Sequence, residues 1–186
     1  MRTPDVPPWA PDILTFWFHE LTPEQWFTRD DAVDAAIRDR FAEVYERLAA
    51  CEPCDLATDA ETCLAAIIGL DQFPRNLFRG DARAFATDAK ARRLTDIALA
   101  NGWDRGQPNE RAVFYYMPLE HSEDLADQIR CCELMAALGD PGYRDDAERH
   151  KAVIERFGRF PHRNAVLGRE STPEEAAFLD AHGVGF

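Results

Sequence analysis

The chain has 186 residues, of which 46% are hydrophobic, so it can bury one sizeable core and is expected to form a single domain. Its 34 acidic and 21 basic side chains give a formal net charge of -13, which disfavours general binding to nucleic acid. The longest apolar run, at residues 63–70, is too short to span a bilayer. We therefore expect a protein that binds neither nucleic acid nor a membrane.

The N-terminal residues 1–11 contain four prolines and lack the apolar region of a signal peptide. We interpret them as a proline-rich segment that precedes one helical domain over residues 12–186. Most of that domain has apolar residues at three- and four-residue spacings. These predict helices, in chain order, over residues 30–50, 58–72, 88–100, 110–117, 122–138 and 143–157.

Proline and capping residues indicate where several of these helices begin and end. Pro74 and Pro118 are expected to end the second and fourth helices, because proline lacks the amide donor. Capping boxes at Thr22 and Thr172 predict two further helix starts. No segment alternates strictly between apolar and polar residues. The predicted fold class is therefore all-α, an array or bundle of about seven to nine helices.

The five cysteines form an odd number in a chain without an export signal, which predicts reduced thiols and a cytoplasmic location. Cys51 and Cys54 have the C-x-x-C spacing of redox and zinc sites. They follow the end of a predicted helix and lie beside acidic residues, which disfavours a thiolate. We interpret them as linker and core thiols.

Two similar strings, FPRN at residues 73–76 and FPHRN at residues 160–164, are basic in an acidic chain. Residues 72–80 and 156–169 contain no carboxylate, which reverses the sign of charge locally and predicts an anion site. We expect each proline to end a helix and to leave free amides in the loop that follows. The candidate ligand-binding residues of the two strings are Arg75, Asn76, Arg159, His162, Arg163 and Asn164. The alternative is structural, with Arg75 and Arg163 paired to carboxylates such as Asp71 or Glu120.

His121 is flanked by acids in the string PLEHSED at residues 118–124. It is a candidate general acid or base, with Glu120 as its catalytic partner. Tyr116 is a candidate ligand-binding residue, because a buried hydroxyl there needs a partner. A metal site would combine His121, Glu120 and Asp124 with a distant ligand, but the helical ligand spacing of a zinc site is absent. We expect neither a metal nor a cofactor.

Three strings in fixed order resemble a largely bacterial family of unknown function: LDQFPRN at residues 70–76, FYYMPLEHSE at 114–123 and FGRFPHRN at 157–164. The likeness runs from residue 13 to the C-terminus. It implies an all-helical, tetratricopeptide-repeat-like fold, but no activity, since the family has no established reaction. Val33 and Leu119 depart from the pattern, where an aromatic residue and phenylalanine are expected, as does the segment at residues 51–54.

Three functions follow as hypotheses, in order of preference. The first is a cleft of arginine, histidine and asparagine that binds an anionic small molecule or an acidic peptide. The second is a small enzyme in which His121 and Glu120 carry out acid–base chemistry on an anionic substrate. The third is an interaction scaffold in which the strings form structural salt bridges. The sequence identifies neither the ligand nor an oligomeric state.

Overall fold

The computed structural model describes residues 8–183, and within that range the chain is helical with no strand. Eight helices in this range have seven or more residues: α1 (Trp9–Thr15), α3 (Asp31–Ala50), α5 (Ala60–Asp71), α7 (Asp88–Asn101), α8 (Asn109–Glu120), α9 (Leu125–Ala137), α10 (Pro141–Phe157) and α11 (Pro173–His182). Three single turns, α2 (Pro23–Phe27), α4 (Pro53–Leu56) and α6 (Phe73–Leu77), connect them. The predicted all-α class is confirmed.

Helix α5 lies at the centre of the molecule, and every residue from Thr62 to Asp71 is buried. It packs against α1, α3, α7 and α8, while α9 packs between α8 and α10. Gly69 allows α3 to approach, because a Cβ there would lie 2.6 Å from Cδ1 of Leu48. A helix covered on all sides cannot be amphipathic, which explains the nearly continuous apolar sequence of α5.

Proline does not end the second predicted helix in the expected way. Helix α5 ends at Asp71, and Pro74 lies in the first turn of α6. The amide of Arg75 donates to the carbonyl of Gln72, 3.0 Å away, so the FPRN string forms a helical turn. Proline is tolerated in a first turn because the amide it lacks has no intrahelical partner there.

Helix α8 continues through Pro118 to Glu120, so the prediction that it stops at Met117 was wrong. All its residues from Ala112 to Glu120 are buried, and its packing against α5, α7 and α9 holds the helix past the proline. The prediction that Ser122 caps the next helix, α9, was also wrong. Asp124 caps α9, and the hydroxyl of Ser122 donates to Asp127.

The predicted capping boxes at Thr22 and Thr172 are both present. The predicted proline-rich segment lies partly outside the described residues, since only Pro8 to Pro11 of it are seen. Helix α1 begins at Trp9 and buries Ala10 in the core. Within residues 8–183, no helix combines the length and the low polarity needed to cross a membrane.

Candidate site: two histidine–carboxylate pairs beside a shared aspartate

The first pair joins the ends of two buried helices. Asp71 is the last residue of α5, and His121 caps the C-terminus of α8. The Nδ1 atom of His121 lies 2.9 Å from each carboxylate oxygen of Asp71. Because an ionised carboxylate can only accept, Nδ1 carries the hydrogen and Nε2 is the ring nitrogen left for other contacts. His121 lines three neighbouring cavities, so its ring borders solvent-sized space on several sides.

The charges around this pair oppose the effect of burial. Burial alone would raise the pKa of Asp71, but His121, Arg75 and the side-chain amide of Gln72 hold it below its usual value. Burial and Arg75 lower the pKa of His121, while Asp71 raises it, and the net direction is down. The pair therefore holds an ionised carboxylate next to an imidazole that is less basic than usual, the form of histidine that can accept a proton.

The second pair was missed by the sequence reasoning, because it depends on His150 of α10. Its Nδ1 atom lies 2.9 Å from the carbonyl oxygen of Asp146 and 3.1 Å from Oε1 of Glu120. A carbonyl only accepts, so Nδ1 carries the hydrogen. The sequence did contain one indication of its role. His150 lies between Ala147 and Ile154, which puts a polar residue on the buried face of an amphipathic helix.

Burial dominates the titration of this second pair. Burial and the nearby charge of Asp71 raise the pKa of Glu120 to about 8. Burial, together with repulsion from the neighbouring basic groups His121 (when protonated) and Arg163, lowers the pKa of His150 to about 3. At neutral pH the Glu120–His150 pair is thus mostly uncharged, with a proton on the carboxyl group. The Asp71–His121 pair, by contrast, keeps an ionised carboxylate, so the two pairs have opposite acid–base character.

The two Phe-Pro strings meet at Asp88, the first residue of α7. Arg75 binds both oxygens of Asp88, at 2.9 and 3.1 Å, while Nη1 of Arg163 lies 3.5 Å from one of them. Asp88 is brought next to Asp71 because the hydroxyl of Thr87 donates to the carbonyl of Leu70. Guanidinium groups separated by almost half the chain therefore share one carboxylate.

Glu123 joins the second and third motif strings. Its carboxylate accepts from the amide of Phe160 at 2.8 Å and from both terminal nitrogens of Arg169, at 2.7 and 2.9 Å. The pKa of Glu123 is lowered, because these hydrogen bonds and Arg169 outweigh its partial burial. This contact fixes the loop that carries Arg163, so the three strings of the sequence form one connected structure.

Two of the cavities that His121 lines share lining residues and border both pairs. The charged compartment, about 530 Å³, is lined by Arg75, Arg79, Arg163 and His162 among others. The neutral compartment, about 230 Å³, is lined by residues that include Val113, Met117, Glu120 and Tyr143. Five residues line both compartments and so form their common border: Trp26, Phe27, Gln72, His121 and His150. The combined space is of the size that small-molecule sites occupy.

Some of the candidate residues predicted from the sequence line these two compartments, and others lie elsewhere in the structure. Six of them line a compartment: Arg75, Asn76, His162 and Arg163 line the charged compartment, Glu120 the neutral one, and His121 both. Three line neither: Arg159 binds both oxygens of Glu175, Asn164 donates to Ser171 and Glu175, and the hydroxyl of Tyr116 donates to Asp104. Asn76, although it lines the compartment, donates to Asp34 at 2.8 Å.

The expected free amides of the second string are also absent. Pro161–Arg163 forms a 3₁₀ turn in which the amide of Arg163 donates to Phe160 and that of Asn164 donates to Pro161. Side chains, not backbone amides, therefore provide the polar groups of the site. Among the residues that the structure describes, no group of three or more histidine, cysteine or acidic side chains is arranged to hold a metal ion. All five cysteines are free thiols.

The fold and these cavities together define a class: an all-helical protein with two histidine–carboxylate pairs and two arginines beside adjoining clefts. The family model described as "Bacterial protein of unknown function (DUF924)" matches residues 13–183, and the chain belongs to that family. The structure is similar to that of the protein of unknown function ATU0120 from Agrobacterium tumefaciens. The two chains are 44% identical, with a TM-score of 0.87 over 92% of this chain and 97% of the other. No curated protein matches the sequence.

Proposed function

We propose that the charged compartment binds a small anionic molecule and that Arg163 is its main cationic contact. One observation carries the proposal. The side chain of Arg163 is only 7% exposed, yet its contact to Asp88 is 3.5 Å long, and in the described part of the chain its Nε has no hydrogen-bond partner. A guanidinium has five N–H donors, and burying them without acceptors is unfavourable. An anion bound in the compartment that Arg163 lines would supply acceptors to the guanidinium nitrogens within its reach.

The surroundings of Arg163 favour an anion over a structural partner. Its guanidinium carbon lies 4.6 Å from the ring centroids of both Phe85 and Phe160, which contact the group but offer no oxygen acceptor. Asp88 is already bound at both oxygens by Arg75. A planar guanidinium binds phosphate and carboxylate groups alike, so either one fits as the anionic group of the ligand. The volume of the charged compartment, about 530 Å³, is that of a small-molecule site.

The test is a thermal-shift and calorimetric titration with inorganic phosphate and with acetate, on the wild type and on Arg163→Gln. A ligand at 100 times its Kd raises the free energy of unfolding by about 2.7 kcal/mol. We expect Arg163→Gln to lose at least ten-fold in affinity. Arg156→Gln is the matched control, because Arg156 binds Glu174 on the surface, outside both compartments. Equal affinity in the wild type and Arg163→Gln would refute the proposal.

The structural hypothesis applies to three other arginines of the carboxylate-free residues 72–80 and 156–169. Arg79 binds Asp34, Arg159 binds Glu175 and Arg169 binds Glu123. We propose that these ion pairs hold the helices and loops around the cavity. Asn164 belongs with them, since its amide contacts Glu175 and Ser171.

Acid–base catalysis by His121 is a second candidate function, favoured by its contact with Asp71. A buried carboxylate that fixes the tautomer of a histidine is the arrangement that orients a general base. The ring also lines both compartments, so a ligand on Arg163 would lie in the same cavity. Glu120, which holds a proton, would serve as the acid on the other side of the border.

This second candidate is tested with nitrophenyl esters of phosphate and of short carboxylates, by following release of nitrophenolate. We expect His121→Asn to lose turnover while it still binds inorganic phosphate with the affinity of the wild type. Unchanged turnover in His121→Asn would contradict a catalytic role. Absence of turnover with every ester would favour binding without chemistry.

We also propose a tetratricopeptide-repeat-like arrangement of the helices and a cytoplasmic location. Consecutive long helices pack on one another from α7 to α10, which supports a tetratricopeptide-repeat-like arrangement of helical hairpins. Five free thiols support a cytoplasmic location, where cysteines stay reduced.

A further inference from the structure

The two compartments differ in charge although they share a border. Arg29, Arg75, Arg79 and Arg163 all line the charged compartment. The lining of the neutral compartment, all of it within the described residues, includes no arginine or lysine. Its lining combines the apolar side chains of Trp26, Phe27, Val113 and Met117 with polar groups that include Glu120 and Asp146. An anionic group therefore has cationic contacts in one compartment and none in the other.

Phe27 is an exposed aromatic residue at the border of the two compartments, so burial in the hydrophobic core does not explain its position. The residue is 53% exposed, the largest value among the exposed large hydrophobic residues in the described part of the chain. Its ring is parallel to that of Phe114, with an interplanar angle of 1° and centroids 6.3 Å apart. Trp26 anchors this turn, because its indole nitrogen donates to the carbonyl of Trp17 at 2.7 Å. Phe27 is thus held in place at the opening with about half its surface available.

We infer that the ligand of this cavity is an amphiphilic anion, with its charged group on Arg163 and an aromatic or aliphatic group in the neutral compartment against Phe27 and Met117. The inference rests on the proposed anion site and adds the chemical class of the rest of the ligand. In this orientation the bonds that join the two parts of the ligand lie at the border formed by His121 and His150. An apolar group in the neutral compartment contacts the rings of Trp26 and Phe27 and the side chain of Val113, which remove it from water.

The experiment compares ligands that differ only in the apolar group: inorganic phosphate with phenyl phosphate, and acetate with phenylacetate, by calorimetric titration. We expect each phenyl compound to bind at least ten-fold more tightly than its parent anion, and the preferred pair identifies the anionic group. Phe27→Ser should reduce that advantage, the ratio of the two affinities, to three-fold or less. An exposed position tolerates this substitution, so the variant should fold.

Ile129→Ser is the matched control, because Ile129 is 46% exposed and lines neither compartment. It should bind all four compounds like the wild type. If the anions bind through Arg163 but the phenyl compounds gain nothing, the inference is wrong while the proposed function stands. If no anion binds, the proposed function itself is wrong. If Phe27→Ser keeps the phenyl advantage and changes only the elution volume of the protein, Phe27 contacts a second copy and the inference is overturned.

Discussion

His121 donates from Nδ1 to Asp71 across a separation of 50 residues, with both carboxylate oxygens 2.9 Å away. The contact joins the C-terminal ends of α5 and α8, the two helices that are buried along most of their length. It fixes which nitrogen of the ring carries the hydrogen, and so which nitrogen is available to a ligand.

Removing the charge of Asp71 should make His121 less basic. A neighbouring anion favours imidazolium, so in Asp71→Asn the pKa of His121 should fall further below its ordinary value. NMR titration of the imidazole signals measures this directly. Asp96→Asn, which removes a carboxylate paired with Arg130 on the surface, should leave the titration of His121 unchanged. A rise in the pKa of His121 in Asp71→Asn would contradict the contact.

The two arginines at Asp88 should contribute very differently to stability. Arg75→Gln leaves Asp71 and Asp88 buried without their strongest cation and should lower the free energy of unfolding by about 3–5 kcal/mol. Arg163→Gln leaves Asp88 bound to Arg75 and should cost about 1 kcal/mol or less. Urea unfolding of both variants checks this. Equal losses would show that Arg163 is a structural partner of Asp88.

Glu120 should make the protein less stable as the pH rises through neutrality. Its folded pKa is about 8, above the ordinary value of 4.5, so near pH 7 the native state holds a proton that the unfolded chain has released. Stability then falls with rising pH, by at most about 1.4 kcal/mol per pH unit.

The measurement is urea unfolding between about pH 7 and 8. His121, His150 and His162 have lowered pKa values, so they give a slope of the opposite sign up to their ordinary pKa of 6.5, which lies below this range. Glu120→Gln cannot ionise, so its stability should be flatter over the same range. Glu174→Gln, on the surface, should keep the slope of the wild type. If the stability of Glu120→Gln fell with pH as steeply as that of the wild type, another ionisable group would be the cause.

Glu123 should position the loop that carries Arg163. Glu123→Ala removes the acceptor of the Phe160 amide and of Arg169, so it should cost about 1–3 kcal/mol and weaken binding of phosphate. Glu155→Ala, an exposed change on α10, should stay within about 0.5 kcal/mol of the wild type. Chemical denaturation together with a phosphate titration separates the two effects. A stable Glu123→Ala with unchanged phosphate affinity would show that the loop holds its position without this contact.

Most of the long helices and several of their capping residues could be predicted from the sequence because they depend on residues within about one turn of each other. Asp30 caps α3, Gly102 ends α7 in the left-handed conformation, and Thr172 forms its capping box. The three strings that identify the family are likewise local in sequence. Pro118 shows the limit of local reasoning, because the packing around α8 outweighs the usual effect of a proline.

The partners of the charged side chains were decided by the tertiary structure alone. A long side chain such as that of Arg159 or Arg163 has an acid within reach only once the helices are packed, and one residue of the same string binds Glu175 while the other approaches Asp88. The same reason explains why His150 was missed, since its partner Glu120 lies on another helix. Local periodicity determined which segments are helical. The packing of α5, α7, α8 and α10 determined which ionisable groups share one hollow, because charge–charge contacts are set by distance in space and not along the chain.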